Sequence, residues 1–260
     1  PTAASNARSA FRLGKKIYYV KDYTMYLKNG ESDKKLEFYD MQNSKKDICV
    51  YKAFFANGNI YGIATGNAFG KTGRLFRCNT DGTEFSYIGT NTVKNIMFDG
   101  DKYIYYMTAD KKAKLYMYNT EHRDEYEISV IDSENNSLIE NMSGFAVTSG
   151  GIAAVNGAMN GITFIKFDRP AYECEWIKIR DEKNIKTLGS FEKINSVNYD
   201  NINNCLYVAD KNRLVKIDCS TFQSAVIYTS AEELSDVYLY LENSKVKYEL
   251  YDVNGKKAEE

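Results

Sequence analysis

Short apolar runs recur along the whole chain, each closed by Asn or Asp and followed by a polar turn. Six copies occupy residues 36–40, 75–79, 115–119, 164–168, 214–218 and 248–252, and they close on Asp40, Asn79, Asn119, Asp168, Asp218 and Asp252. Lys or Arg precedes five of them and Thr163 precedes the fourth. The closing residues are separated by 39, 40, 49, 50 and 34 positions. Upstream of each copy lies a second run, most often an apolar residue followed by Tyr: Ile17-Tyr18, Ile60-Tyr61, Ile104-Tyr105 and Leu206-Tyr207. The fourth copy carries the degenerate Ile152-Ala153-Ala154-Val155, and the sixth carries Val237-Tyr238-Leu239-Tyr240. Two short β runs joined by a polar turn, such as residues 109–112 or 210–212, make a hairpin.

Each unit extends to four strands. In the third, residues 95–98, 103–107, 115–118 and 126–130 alternate with the turn signals Asp99-Gly100 and Ala109-Asp110-Lys111-Lys112. Gly and Asn tolerate the positive φ that tight turns demand. Four antiparallel strands in ~40–45 residues are the blade unit of a β-propeller. The fold class expected is therefore all-β, a propeller of four-stranded antiparallel blades forming one domain over residues 1–260. Six blades are expected, or five if the short last unit is only a closing hairpin. Residues 1–10 read as a linker or closing segment, and Ser9-Ala10-Phe11-Arg12 is the stretch expected to pair with the last unit. No long apolar pattern has helical period, and the best helical candidate is one or two turns at Ser230-Ala231-Glu232-Glu233-Leu234. The polar inserts at 132–137 and 180–184 read as loops.

Composition agrees with the pattern. Tyr occurs 22 times, Phe 13 times and Pro only twice, the balance that suits pleated, half-buried surfaces. A net charge of -1 lacks the basic excess of a nucleic-acid-binding domain, so no nucleic-acid partner is expected. No run approaches the ~20 apolar residues of a membrane-spanning helix. Five widely spread cysteines form neither a disulfide framework nor a zinc ligand set; they read as small apolar strand residues, with one bridged pair as the alternative in an extracellular setting.

The run Leu206-Tyr207-Val208-Ala209-Asp210 followed by Asn212-Arg213-Leu214-Val215-Lys216-Ile217-Asp218 resembles a blade of the NHL- or YWTD-type propellers. Tyr103-Ile104-Tyr105-Tyr106-Met107-Thr108 with Lys114-Leu115-Tyr116-Met117-Tyr118-Asn119 resembles the YWTD-like propellers of uncharacterised secreted bacterial proteins. The resemblance spans most of residues 11–255 and is clearest in the second, third and fifth units. Tyr106 stands where the Trp of a YWTD motif would be, which favours the looser bacterial group. That resemblance implies recognition at the cell surface or outside the cell, with no single shared chemistry.

The chemical candidates are few. Gly66-Asn67-Ala68-Phe69-Gly70-Lys71-Thr72 has three residues between its glycines where a P-loop needs four, and a strand rather than a helix follows. His122, the single histidine, sits in a polar turn and builds neither a multi-histidine metal site nor a triad by itself. No Gly-x-Ser-x-Gly elbow occurs. The Asn and Asp that close each repeat read as turn caps, because their side chains bond nearby backbone N–H groups. Hence no catalytic residue, cofactor or metal is assigned. The expectation is a non-catalytic extracellular or cell-surface module binding a protein or carbohydrate ligand on one propeller face. Tyr61, Tyr105, Tyr106, Trp176 and Tyr207 are the candidate ligand-binding aromatics, with core filling as the competing role for Trp176. The alternative is a propeller glycoside hydrolase or lyase, which would gather two or three carboxylates ~5–10 Å apart near the axis.

Overall fold

A computed structural model describes residues 9–66, 70–131, 136–137, 139, 142–166, 176–179, 185–242 and 245–258. Every regular element among them is a β-strand. The chain packs as two compact units, Pro1–Glu127 and Ile128–Glu260.

In the first unit, β1 (Ser9–Leu13), β2 (Lys16–Lys21), β3 (Thr24–Asn29) and β4 (Ser32–Lys35) form one antiparallel meander. A two-residue hairpin follows, β5 (Phe38–Tyr39) with β6 (Lys45–Lys46). The second sheet contains β7 (Val50–Ala56), β8 (Asn59–Ala64), β9 (Gly73–Cys78) and the first half of β10 (Ser86–Phe98). The second half of β10 turns into a third sheet with β11 (Tyr103–Thr108), β12 (Leu115–Asn119) and β13 (Glu125–Val130). Aromatic residues fill the layers between sheets. Tyr18, Phe38, Phe76 and Phe85 lie in one buried cluster, and Tyr61, Tyr106 and Tyr118 lie in the next.

In the second unit, β14 (Gly144–Thr148), β15 (Gly151–Val155) and β16 (Ile162–Lys166) precede the short β17 (Trp176–Ile179) and β18 (Ile185–Leu188). The fourth sheet runs β14-β15-β16-β18. The fifth runs β19 (Ile194–Asp200), β20 (Cys205–Asp210), β21 (Arg213–Asp218) and β22 (Ser224–Thr229). A sixth pairs β23 (Leu234–Glu242) with β24 (Lys245–Asp252). A bridge between Tyr251 and Lys257, and the Ala258 N–H bonded to the Leu250 carbonyl at 2.8 Å, begin a third position on that sheet.

Of the described closing residues, Asp40, Asn119, Asp218 and Asp252 act as turn caps, whereas Asn79 Nδ2 donates to the Thr83 hydroxyl at 3.0 Å. Asn119 Oδ1 accepts the N–H groups of Glu121 and His122. Asp218 Oδ1 does so from Ser220 and Thr221, and Asp252 Oδ1 from Asn254 and Lys256. Each satisfies backbone donors that the end of a hairpin leaves unpaired. Those backbone bonds hold the Asp218 carboxyl below the usual carboxylate range. Asp168 lies outside the described residues.

Three expectations change. The first repeat copy, 36–40, is not the third strand of the first sheet: β2 pairs with β3, which ends on Asn29. Residues Phe38 and Tyr39 instead pair with Lys46 and Lys45. Second, Ser9-Ala10-Phe11-Arg12 pairs with β2 as the first strand of the first sheet, with Phe11 opposite Tyr18. Third, residues 230–234 are a bend leading into β23, with the Leu234 N–H tied to the Lys211 carbonyl at 2.6 Å. The insert at 132–137 is described only at 136 and 137, and that at 180–184 lies outside the described residues.

Four of the first strands also share a local irregularity that the apolar runs did not reveal. Register shifts fall at Val50/Lys52, Val93/Asn95, Ile194/Ser196 and Leu234/Asp236. A bulge at this point re-aims side chains and increases local twist.

Candidate functional site

β11 contributes Tyr103-Ile104-Tyr105-Tyr106-Met107-Thr108, and all six residues are buried. Alternation sends Tyr106 and Ile104 to one face and Tyr105 to the other. Tyr106 joins the layer between the second and third sheets, opposite Tyr116 of β12, and the two rings stack with centroids 5.1 Å apart.

This pair carries a polar rim. The Tyr106 hydroxyl donates to Glu125 Oε1 and accepts from Asn91 Nδ2 at 3.3 Å. Burial first, then the bond to Glu125, pushes the Tyr106 phenol above its ordinary value. The Tyr116 hydroxyl donates to Glu127 Oε2 at 3.3 Å, and Lys114 Nζ pairs with the same oxygen at 2.9 Å. Burial followed by the Glu127 charge raises the Tyr116 phenol. Both tyrosines therefore remain neutral donors across the physiological range. Gly89, at φ +58°, lies close to this rim: a Cβ there would stand 3.3 Å from Glu125 Oε1. Arg74 Nη2 donates to the Gly89 carbonyl at 2.7 Å while its guanidinium lies 4.2 Å from the centre of the Tyr87 ring. Cation–π stacking of this kind holds an arginine fork in place without neutralising it. The result is a half-buried surface of tyrosine, arginine and paired charges fixed on strands.

The five candidate aromatics are distributed through both units. Tyr61 and Tyr106 share the layer between the second and third sheets. Tyr207 packs in the second unit with Cys205, Leu214 and Leu250. Exposure is 0% for Tyr61, 1% for Tyr105 and Tyr106, and 6% for Tyr207, so their rings fill the interior of the sheets. Trp176 begins β17, and its side chain lies outside the described residues. The residues at the rim, Tyr116, Glu125, Glu127 and Arg74, were not singled out from sequence. The signal that could have found them is their place on the third and fourth strands, where one face remains half open.

The first strands show how polar residues are used elsewhere. Lys52 Nζ bonds the Ile96 carbonyl at 3.1 Å, and the Ser9 hydroxyl accepts the Ala53 N–H at 3.0 Å. In the second unit Asn195 and Asn198 donate to the Leu234 and Val237 carbonyls at 2.7 and 2.8 Å. These bonds join one first strand to the next. β1, β7 and β10 contain no Asp or Glu. Asp200 of β19 accepts from Ile202 and Asn203, and Asp236 of β23 accepts the Val237 N–H. No group of three or more His, Cys, Asp or Glu among the described residues is placed to hold a metal ion. His122 is exposed. Cys49, Cys78, Cys205 and Cys219 carry free thiols, and Cys174 lies outside the described residues.

No known protein family matches the chain, and no curated protein does. Solved structures do match. A chain of the nidogen/laminin complex superposes with a TM-score of 0.54 at 12% identity, over 82% of this chain and 74% of that one. The extracellular domain of the one-component system BT4673 from B. thetaiotaomicron gives 0.59 at 14% identity; the match takes in 97% of this chain but only 32% of that one. Luciferin-regenerating enzyme gives 0.59 at 11% identity, covering 98% and 89%. These are β-propellers, and identities this low carry the fold alone. With the six successive antiparallel sheets, the likeness shows that the chain is an all-β propeller of four-stranded blades, six in number, the sixth represented by two strands among the described residues.

Proposed function

We propose that this chain is a non-catalytic recognition module of the YWTD- and NHL-like kind that works at the cell surface or outside the cell and binds a protein ligand. The observation that carries the reading is the rim built by Tyr116, Glu127, Lys114, Glu125 and Arg74 over the buried Tyr106. Tyrosine and arginine held on rigid strands offer large contact area at low entropic cost, and such residues dominate binding energy in protein interfaces. Ion pairs already formed at the rim would add selectivity more than affinity. The first strands, whose polar side chains bond neighbouring strands rather than gather carboxylates, support a binding role over glycoside chemistry. The nidogen/laminin complex is a protein–protein assembly, and the BT4673 domain is extracellular; both fit the reading.

The test is capture of surface and secreted proteins from the source organism on the immobilised chain, followed by affinity measurement with Tyr116→Ala and Lys114→Glu variants. Truncating Tyr116 should weaken binding at least tenfold, as loss of a central aromatic contact does. Binding that is indifferent to both substitutions would place the interface elsewhere and sink this assignment.

A further inference from the structure

The layer between the second and third sheets also holds a buried hydrogen-bond donor without an acceptor. Tyr61 is fully buried, and its hydroxyl has no hydrogen-bond partner. Its ring packs against Phe54 with centroids 6.4 Å apart and against Tyr118 at 6.3 Å. Directly opposite Tyr61 in the ladder is Arg77 of β9. The side chain of Arg77 is 14% exposed, and its ion pair among the described residues is a long one, 3.9 Å to the half-exposed Glu84. Tyr118 is 4% exposed. Arg77 and Arg123 both act electrostatically on the two phenols; Asp124 and Glu125 act on Tyr118 in the opposite sense. Glu125 is already engaged by Tyr106.

Burying a hydroxyl without a partner is costly, and native structures leave few such groups without a water, an ion or a ligand. Here a buried phenol without a partner lies opposite a guanidinium and against a second phenol. Burial pushes the Tyr61 phenol up to about 12, so it stays a donor at neutral pH. The residual exposure of Arg77 gives a ligand access from solvent.

From this geometry we propose that Tyr61, Tyr118 and Arg77 form a binding site for an oxyanion, a carboxylate or a phosphate, which accepts from both phenols and pairs with the guanidinium. The site uses none of the rim residues and does not depend on the recognition function. A neutral phenol and a planar guanidinium together favour an acceptor with two or more oxygens over a spherical halide.

The experiment is thermal unfolding of the whole chain at constant ionic strength in chloride, acetate and inorganic phosphate, with titration calorimetry for the anion that acts. The wild type should melt higher in acetate or phosphate than in chloride, because a ligand that binds only the folded state stabilises it. A response to acetate identifies a carboxylate as the natural group; a response to phosphate alone identifies a phosphate. Tyr61→Phe removes the orphan hydroxyl, so its melting point in chloride should equal or exceed that of the wild type, while its anion affinity falls about tenfold. Arg77→Met should abolish the response; if that variant does not fold, Tyr61→Phe decides alone. The proposal is overturned if neither oxyanion shifts the wild type at tens of millimolar. It is equally overturned if Tyr61→Phe binds as tightly as the wild type, or if it melts lower in chloride, which would mean that the hydroxyl has an internal acceptor.

Discussion

Asp210, at the end of β20, offers the sharpest test of what holds a blade together. Its side chain is fully buried. Oδ1 accepts the N–H groups of Glu192 and Lys193, each at 2.8 Å, and Oδ2 pairs with Arg213 at 2.5 Å. The carboxylate thus binds the segment entering β19 to the turn between β20 and β21. Replacing it with Ala strands two backbone donors and leaves Arg213, whose Nε already lacks a partner, without its closest counter-charge. Breaking one side of a buried, hydrogen-bonded pair costs about 3–5 kcal/mol. At roughly 2–4 °C of melting temperature per kcal/mol for a chain of this size, Asp210→Ala should melt about 6–20 °C lower. Asp210→Asn keeps the shape and part of the acceptor capacity, so its loss should be smaller, about 1–2 kcal/mol. Urea unfolding followed by both fluorescence and circular dichroism measures the difference and shows whether one transition describes it. If Asp210→Ala loses less than about 1 kcal/mol, the range of an ordinary surface ion pair, then this carboxylate is not the fastening described above. Arg213 is a third exposed, so an Arg213→Met variant as damaging as Asp210→Ala would also refute the reasoning.

Gly62→Ala should be strongly destabilising in a thermal melt, because a Cβ there would stand 2.3 Å from the Lys52 carbonyl oxygen and 2.7 Å from the Phe76 ring. Stability should fall as pH drops through the carboxylate range: Asp40, Asp81 and Asp218 are held below their ordinary values, so the stability they contribute above the unfolded pKa disappears as they protonate. Melting temperatures flat from pH 6 to pH 3 would contradict this. Tyr61 has the opposite sign, since its raised phenol favours the neutral folded form; stability should decline as pH rises above the ordinary tyrosine value of ~10, and less so in Tyr61→Phe. Native thiol labelling followed by mass spectrometry should spare Cys78, which is fully buried and whose thiol is raised by burial, while denatured protein should label Cys49, Cys78, Cys205 and Cys219 without prior reduction.

The propeller was legible because its turns are local. An Asp or Asn side chain that caps its own hairpin needs only the next few residues, and the pattern survives in any sheet. The same locality explains the misplaced first copy. Asp40 makes the identical turn, accepting the N–H groups of Gln42 and Ser44, yet it closes only the two-residue hairpin of β5 and β6. Sheet membership is set by distant partners, and the apolar run at 36–40 carries no mark of them. The first strands were harder still. Val50 and Ala53, like Ile194 and Val197, are buried three apart on either side of a bulge that interrupts alternation. A search for period two passes over them, whereas a search for paired apolar residues three apart, followed by a Tyr-rich run, would find the beginning of each such blade.

The same physics explains why tyrosine-rich runs point to structure before function. β8, β11 and β20 are second strands, flanked on each side by another strand, and nearly every residue in them is buried regardless of which face it takes. A strand covered on both faces reads as a continuous apolar run, and tyrosine enters such a run because its ring fills the layer while its hydroxyl reaches an edge. The hydroxyl, not the ring, then carries the information. Tyr18 reaches the Thr80 carbonyl and Tyr106 reaches Glu125, so both are satisfied from within. Tyr61 is not, and that difference among otherwise equivalent tyrosines draws attention to Arg77 and Tyr118. Tyr116 and Glu127, on the third and fourth strands, are by contrast only half buried. Ligand contacts within a blade layer can arise only where a buried polar atom has been left without a partner.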